Sequence, residues 1–159
     1  MKIIKIMIIN LIILTNIPFA KPYYEFTEKE LKGKKIALFG SFMCYDTFIE
    51  VMDYFESKGA KILCPIRSKI VDIDADFRLF KDDNLINKTE KELQQTVFDK
   101  TRQYADIVYV VNGNHCKIGL GTASEIGYTV ALNDIRKKKI QIYCWDKPQS
   151  SHIRFYCKY

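Results

Sequence analysis

Short apolar runs alternate with helically spaced apolar residues along most of the chain. The runs at 35–40, 61–65, 106–111 and 140–144 are rich in Ile, Val and Leu and are typical of buried strands. The segments between them are long enough to cross back over a sheet, and parallel strands require such crossovers. We therefore predict an α/β fold, a small Rossmann- or flavodoxin-like three-layer sandwich with a mostly parallel sheet of four to five strands.

Three helices are predicted between the strands. The first carries Phe48 to Phe55 at helical spacing and ends at Gly59, which favours a helix C-terminus. The second opens at 89–92, whose Thr-x-x-Glu pattern is typical of a capping box, and the third spans 122–136. Residues 67–88 are predicted to be a long excursion, with or without a short helix, and suited to act as a lid.

The first twenty residues differ in kind from the rest. Lys2 and Lys5 precede a charge-free stretch rich in Ile and Leu, and Ala20 follows it. This is the layout of a secretory signal peptide, and the stretch is short for a membrane-spanning helix. We therefore expect residues 1–20 to direct export or membrane association. The alternatives are an upstream mis-start, or a cytoplasmic protein whose N-terminal extension packs on the domain.

Length and charge limit the remaining possibilities. The chain of 159 residues suits one domain, which we place at 34–159 behind a lead-in or linker at 21–33. Its formal net charge is +6, and the densest cationic cluster, at 136–139, lies at a predicted helix C-terminus, where cations are favourable. A nucleic-acid surface would gather its cations on one face among aromatics. Nucleic acid is therefore not an expected partner.

The five cysteines do not predict a metal site. None stands in a C-x-x-C pair, and an odd count does not describe a closed disulfide framework. Cysteines in strands behave as small hydrophobic residues. Cys116 lies beside Lys117, and a neighbouring cation can lower the pKa of a thiol, so a reactive Cys116 is an alternative.

Two polar loops, at 40–46 and 112–125, follow predicted strands and are the expected ligand sites. In open α/β sheets, ligands bind beyond the carboxyl ends of the strands. Gly119 and Gly121 would let the second loop turn sharply and approach a ligand, and Thr122 is a favourable N-cap. The amides of the helix that follows would suit a phosphate.

Glu125 is the candidate nucleophile in this second loop. A carboxylate near a helix N-terminus is favoured in its ionised form and can attack a sugar carbon. The alternative is structural, because residues 122–125 also match a capping box in which Glu125 would only bond back to the amide of Thr122.

Three segments resemble the nucleoside 2-deoxyribosyltransferase family and its relatives, the 2'-deoxynucleoside 5'-phosphate N-hydrolases. They are 105–111, the Ile-Gly-Leu-Gly-Thr-Ala-Ser-Glu-Ile-Gly-Tyr sequence at 118–128, and Phe-Gly-Ser at 39–41. The likeness covers roughly 34–144. The glycine-rich turn with its Glu-Ile-Gly is the most specific part.

The resemblance implies cleavage or transfer of the N-glycosidic bond of deoxynucleosides or their 5'-monophosphates. Glu125 matches the glutamate that holds the sugar covalently, and Asp99 and Asp46 loosely match carboxylates that help to bind and protonate. No metal or organic cofactor is implied, and the family tends to form homo-oligomers. The substrate-binding residues expected on the two loops are Gly40, Ser41, Asp46, Asn112, Lys117, Gly119, Gly121, Thr122 and Ser124.

The chain departs from the family pattern at several points. Lys117 stands where the transferases often carry an acidic residue, and a cation there suits a phosphate. Residues 42–45 replace the glycine- and arginine-bearing loop of the hydrolases. The Gly-Thr-x-x-Glu sequence at 121–125 also resembles that of cytokinin-activating phosphoribohydrolases, without their preceding Pro-Gly-Gly. The alternative is therefore a non-catalytic nucleotide-binding or sensing module on the same fold.

Overall fold

A computed structural model describes residues 24–65, 67, 70–73, 78–80, 89–113 and 116–159. The signal-like segment 1–20 lies outside these residues. The strands are β1 (Lys35–Gly40), β2 (Lys61–Cys64), β3 (Ile70–Ile73), β4 (Arg78–Phe80), β5 (Ile107–Val111) and β6 (Gln141–Cys144). The helices are α1 (Glu28–Leu31), α2 (Tyr45–Ser57), α3 (Glu90–Tyr104), α4 (Leu120–Ile135) and α5 (Ser151–Arg154), and a single 3₁₀ turn covers Phe42–Cys44.

The main sheet has four parallel strands in the order β2-β1-β5-β6. The two central strands pair from Ile36 opposite Ile107 to Gly40 opposite Val111. The four predicted strands and their parallel direction are thus confirmed. The chain adds strands outward on one side of β1 and then on the other, so the direction of winding changes between β1 and β5.

Alternate residues of each strand point to opposite faces of the sheet, because side chains in a strand have a period of two. One face packs against α1 and α2, whose Leu31, Phe48 and Phe55 are fully buried. The other face packs against α3 and α4 through residues such as Val97 and Ile126. These three layers confirm the predicted α/β sandwich.

The helix ends show which of the predicted caps are confirmed. Thr89 caps α3 through a capping box with Glu92, as predicted. Gly59 follows α2 with a φ of 79°, a conformation that favours glycine at a helix C-terminus. In contrast, α4 begins at Leu120, two residues before the predicted start, so Thr122 is not its N-cap.

Two further segments add to the fold. Within the described part of 67–88, where a long excursion with or without a short helix was predicted, β3 and β4 pair in antiparallel orientation. The tail contributes α5 and one parallel bridge, between Tyr143 and Lys158.

The lead-in segment packs onto the domain core. Phe26 and Leu31 are buried in the same cluster as the α2 face. The Phe26 amide donates to the Tyr54 hydroxyl at 3.0 Å, and Thr27 caps α1 through a capping box with Glu30. Among the described residues, no helix combines the length and the apolar character needed to cross a membrane.

The cationic cluster at 136–139 has structural partners, as its position predicted. The Arg136 guanidinium donates to the main-chain carbonyls of Thr101 and Arg102, at the C-terminus of α3. Lys138 pairs with Asp106. Arg136 therefore links the end of α4 to the end of α3, and Lys138 binds the residue before β5, at the amino edge of the sheet.

Candidate functional site

Glu125 lies at the seam between α3 and α4. Its carboxylate is half-buried and accepts a hydrogen bond of 3.1 Å from the Gln94 side chain on α3. Burial raises the pKa of the thiol of Cys64, the last residue of β2, and the nearby Glu125 charge adds a smaller increase. One turn further along the seam, the rings of Phe98 and Tyr128 stack with centroids 4.2 Å apart. The carboxylate thus sits above the end of β2 in a packed environment.

Burial raises the pKa of Glu125 to about 7, while the hydrogen bond from Gln94 acts in the opposite direction. Removal from water penalises the charged form of a carboxyl, and a single amide donor does not compensate here. The expectation that the helix N-terminus would hold Glu125 ionised is not met. Since α4 begins at Leu120, Glu125 is its sixth residue, beyond the first turn where that effect acts.

The structural alternative for Glu125 is also wrong. A capping box would need Thr122 as the N-cap, whereas Gly119 holds that position and Thr122 is buried inside α4. The Glu125 side chain bonds to Gln94 on the neighbouring helix. This carboxylate therefore has a tertiary partner and no local capping role.

The glycine turn differs in detail from its prediction. Gly119 has φ −83° and ψ −179°, an extended conformation open to any residue, so no sharp turn is made there. A Cβ added at Gly119 or Gly121 would meet nothing within 4 Å. Ser124 donates to the carbonyl of Leu120 at 2.9 Å. The two glycines therefore border open space at the start of α4, as an approach for a ligand requires.

The structure does not bring the second candidate carboxylate to Glu125. Asp99 accepts hydrogen bonds from Gln95 at 3.1 Å and from Arg102 at 3.0 Å. Both partners are exposed residues of α3, on a neighbouring face of the helix from Gln94. In the described part of the chain, the hydrogen bonds of Asp99 therefore stay within its own helix.

The residues after β1 have clear local roles. Gly40 has a φ of 154°, and a Cβ there would lie 2.8 Å from the Val111 carbonyl oxygen and 3.0 Å from the Phe48 ring. Close packing thus requires this glycine. The Ser41 side chain accepts from the Met43 amide at 3.3 Å and caps the 3₁₀ turn. Asp46 is exposed in the first turn of α2.

A disulfide between Cys44 and Cys116 joins the two candidate loops. The cysteines are 72 residues apart in sequence, with Cα atoms 6.1 Å apart. The suggestion that Cys116 is a reactive thiol is therefore wrong. Sequence reasoning missed this pair, although each of the two loops predicted to share a sheet edge contains a cysteine. The disulfide spans the point where the winding of the sheet changes direction, which is where such folds bind ligands.

A cleft of about 490 Å³ opens beside this disulfide, at the carboxyl ends of β5 and β6. Asn112 and Lys117 belong to its lining and Glu125 does not. The Asn112 amide donates to the Asp146 carbonyl at 2.9 Å, and the Asp146 amide donates back at 3.0 Å. The Asn112 side chain thus links the loop after β5 to the loop after β6, and Lys117 is exposed at the rim of the cleft. The remaining lining residues are Cys116, Ile118, Asp146, Lys147, Gln149, Ser150 and Ile153.

The structure therefore does not gather the predicted site residues in one place. Glu125 lies at the α3–α4 seam, and Asn112 and Lys117 line the cleft. Across the described residues, no group of three or more His, Cys, Asp or Glu side chains is placed to hold a metal ion. Comparisons of the chain with protein-family models, with curated proteins and with solved structures give no match.

Proposed function

We propose that the protein cleaves or transfers the N-glycosidic bond of deoxynucleosides or their 5'-monophosphates, with Glu125 as nucleophile. The observation that carries the proposal is the half-buried Glu125 carboxylate at the carboxyl side of the sheet, held by Gln94 and raised in pKa to about 7. Perturbed acids of this kind concentrate at functional sites. The likeness of residues 118–128 to deoxyribosyltransferases supplies the substrate class.

The proposed reaction proceeds by two displacements at the anomeric carbon. A Glu125 oxygen forms a bond to that carbon while the carbon–nitrogen bond breaks, and its electron pair leaves with the base, which takes up a proton. Water or a second base then attacks the same carbon and releases Glu125. Positive charge develops on the sugar in each transition state, and a carboxylate in a dry site stabilises it more strongly than in water.

Gln94 has a positioning role in this proposal. Its amide nitrogen donates to Oε1 of Glu125, which fixes the carboxylate plane and leaves Oε2 as the oxygen that we assign to the attack. Because Glu125 must be ionised to attack, kcat/KM is expected to rise with pH through about 7.

The test uses the full chain incubated with a panel of deoxynucleosides and 5'-monophosphates, with and without a second base. Chromatography measures base released or exchanged. Glu125→Gln is expected to lower turnover by roughly 10³-fold or more, and Glu50→Gln, the same change on the exposed face of α2, should leave it unchanged. Equal turnover of Glu125→Gln and the unmodified protein would refute the assignment.

A second candidate function is a non-catalytic nucleotide-binding module. The ion pair of Asp99 with Arg102 favours it, because it leaves Glu125 without a second carboxylate among its described partners. In this case nucleotides raise the Tm, no base is released, and Glu125→Gln still binds. Asp99→Asn adds a further distinction, since it should slow turnover only if Asp99 takes part in protonation.

Export through residues 1–20 is part of the same proposal. The Cys44–Cys116 disulfide supports it, because disulfides persist mainly in oxidising compartments. Mass spectrometry of the protein recovered from its native cells tests this point. A mature N-terminus near residue 21 is expected, and an intact Met1 on the cytoplasmic protein would contradict export.

A further inference from the structure

Cys144 and Cys157 come together where the tail returns to the sheet. Cys144 ends β6, and the tail pairs beside it in parallel. The Cys144 amide donates to the Lys158 carbonyl at 2.8 Å, and the Lys158 amide donates to the Ile142 carbonyl at 2.9 Å. Tyr143 is bridged to Lys158 in parallel, so Cys144 and Cys157, one residue after and one residue before the bridged pair, are diagonal neighbours on the opposite face.

The two thiols share one buried environment. Cys144 is fully buried and Cys157 is 7% exposed, and both belong to the cluster beneath α4. Cys157 lies close enough to Cys144 to raise the pKa of the Cys144 thiol, together with burial. Two buried thiols close to each other on paired backbone segments are the arrangement from which a disulfide forms.

We propose that Cys144 and Cys157 form a second disulfide, which closes residues 144–157 into a covalent ring. The ring contains one wall of the cleft, because Asp146, Lys147, Gln149, Ser150 and Ile153 all lie within it. The disulfide would therefore hold this wall against the edge of the sheet. The inference does not depend on the proposed catalytic activity.

The oxidation requires a disulfide donor, such as oxidised glutathione or a dithiol oxidase in an oxidising compartment. One cysteine, as the thiolate, attacks the donor to give a mixed disulfide and releases one donor thiol. The other cysteine then displaces the second donor thiol and forms the Cys144–Cys157 bond. Two protein thiols lose two electrons and two protons in total, and the donor disulfide is reduced to two thiols.

The fifth cysteine is excluded from this pair by the strand order. Cys64 ends β2, and β1 and β5 separate that strand from β6. Three strand spacings of roughly 4.8 Å place β2 and β6 about 14 Å apart, whereas a disulfide needs Cα atoms within about 7 Å. Cys64 is therefore the odd cysteine that remains a thiol.

Trypsin separates all five cysteines, so peptide mapping of the full chain tests the pairing directly. Cys144 lies in fragment 140–154, because Lys147 precedes a proline and is not cleaved, and Cys157 lies in fragment 155–158. The protein is refolded in a glutathione redox buffer, alkylated and digested without reductant. Mass spectrometry is expected to find these two fragments linked.

The same digest contains an internal control. Fragments 36–58 and 103–117, which carry Cys44 and Cys116, should be linked, and fragment 62–67 should carry an alkylated Cys64. The proposal is overturned if 140–154 and 155–158 are found only alkylated while the first pair is linked. It is equally overturned if Cys64 is found linked to either of them.

Variants measure what the cross-link contributes. Under oxidising conditions Cys157→Ala is expected to lower the Tm by roughly 5–10 °C. The double variant Cys144→Ala/Cys157→Ala should have the same Tm as Cys144→Ala alone. Cys64→Ala, which also removes a buried thiol, is the matched control for lost packing. The excess deficit of Cys157→Ala over this control should disappear in reductant, and a deficit that persists there would contradict a disulfide origin.

Discussion

Two partly buried carboxylates at opposite ends of the sheet have pKa values shifted in opposite directions. Asp106 precedes β5 at the amino edge, and its side chain is 17% exposed. Partial burial opposes its ionisation, but the hydrogen bonds from Lys138 and from the Lys35 amide outweigh burial and lower its pKa. Glu125, toward the carboxyl edge, has one donor among the described residues, Gln94, and burial raises its pKa to about 7.

The difference shows how the surroundings of a carboxyl group decide whether its charge is stabilised in the folded protein. Asp106 is surrounded by a cation and a main-chain amide, so its charge is stabilised in the folded protein. Glu125 has been taken from water without equivalent compensation, so its charge costs folding free energy. The Asp106 carboxylate therefore stabilises the fold, and the Glu125 carboxylate is the one to which we assign the proposed reaction.

The largest effect on stability is expected from Glu125→Gln. A folded-state pKa near 7, against the ordinary 4.5, means that ionisation destabilises the folded protein progressively between these values and fully above about pH 7. Gln keeps an acceptor for Gln94 and removes the charge. The variant should be more stable than the unmodified protein by about 3 kcal/mol at pH 8 and equally stable below pH 4.5.

Urea unfolding at pH 4, 6 and 8 measures this profile, with Glu50→Gln as the control on an exposed surface. A stability difference that does not change with pH would show that the Glu125 carboxyl is not desolvated in the folded state. The comparison between the two ends of the sheet would then fail.

The next effect tests whether the carboxyl edge is a rigid surface. A Cβ at Gly113 would lie 2.4 Å from the Trp145 indole, which is fully buried. Gly113→Ala must displace that ring, and we expect a loss of about 2 kcal/mol in the free energy of unfolding. Chemical denaturation checks this. In a background of Trp145→Leu the same change should cost less, and strict additivity would show that the two residues do not press on each other.

Asp106→Asn should have a smaller effect with the opposite pH signature. Because the folded-state pKa of Asp106 is lowered, its stabilisation is present above its unfolded pKa and is lost as pH falls through the folded value. Lys138 is 70% exposed, so solvent screens the pair and we expect a loss of about 1 kcal/mol at pH 7. Thermal unfolding at pH 7 and pH 2 checks this, with the exposed Asp134→Asn as control. A loss that persists undiminished at pH 2 would contradict it.

The smallest effect concerns the glycines at the start of α4. Gly121 lies in the helix and a Cβ there meets nothing within 4 Å, so Gly121→Ala should stabilise the protein by about 0.5 kcal/mol. Gly127→Ala is the matched control on the same helix, with equally open space. If a substrate approaches the first turn, only Gly121→Ala lowers activity. Equal activity of the two variants would remove Gly121 from the proposed site.

Local sequence signals predicted the sheet well because each strand is a continuous apolar run. The segments at 35–40 and 106–111 became β1 and β5 with end points within one residue of those predicted. The capping box at Thr89 also held, because both of its partners lie within one helical turn. Signals of this kind depend on neighbours in sequence and need no knowledge of the fold.

The features that sequence reasoning missed depend on tertiary neighbours. Thr122 was predicted to be an N-cap, but burial of its side chain leaves the helix to begin at Leu120 without a side-chain cap. The pKa of Glu125 depends on how α3 covers it, and the partner of Asp99 depends on its helix face. The Cys44–Cys116 pair follows only once β1 and β5 are known to be neighbours.

The strand order also constrains how the chain is made. β1 is a central strand, but its neighbour β5 is synthesised much later. The Lys35 amide donates to the Asp106 carboxylate, and these two residues are 71 positions apart in sequence. During synthesis from the N-terminus, β1 and β2 are made before β5. The edge of β1 that later pairs with β5 then has unpaired backbone groups, which can bind a strand from another chain. A nascent chain is therefore most exposed to mispairing until residue 111 has been synthesised and β5 can pair with β1. The disulfide between Cys44 and Cys116 then fixes that pairing covalently.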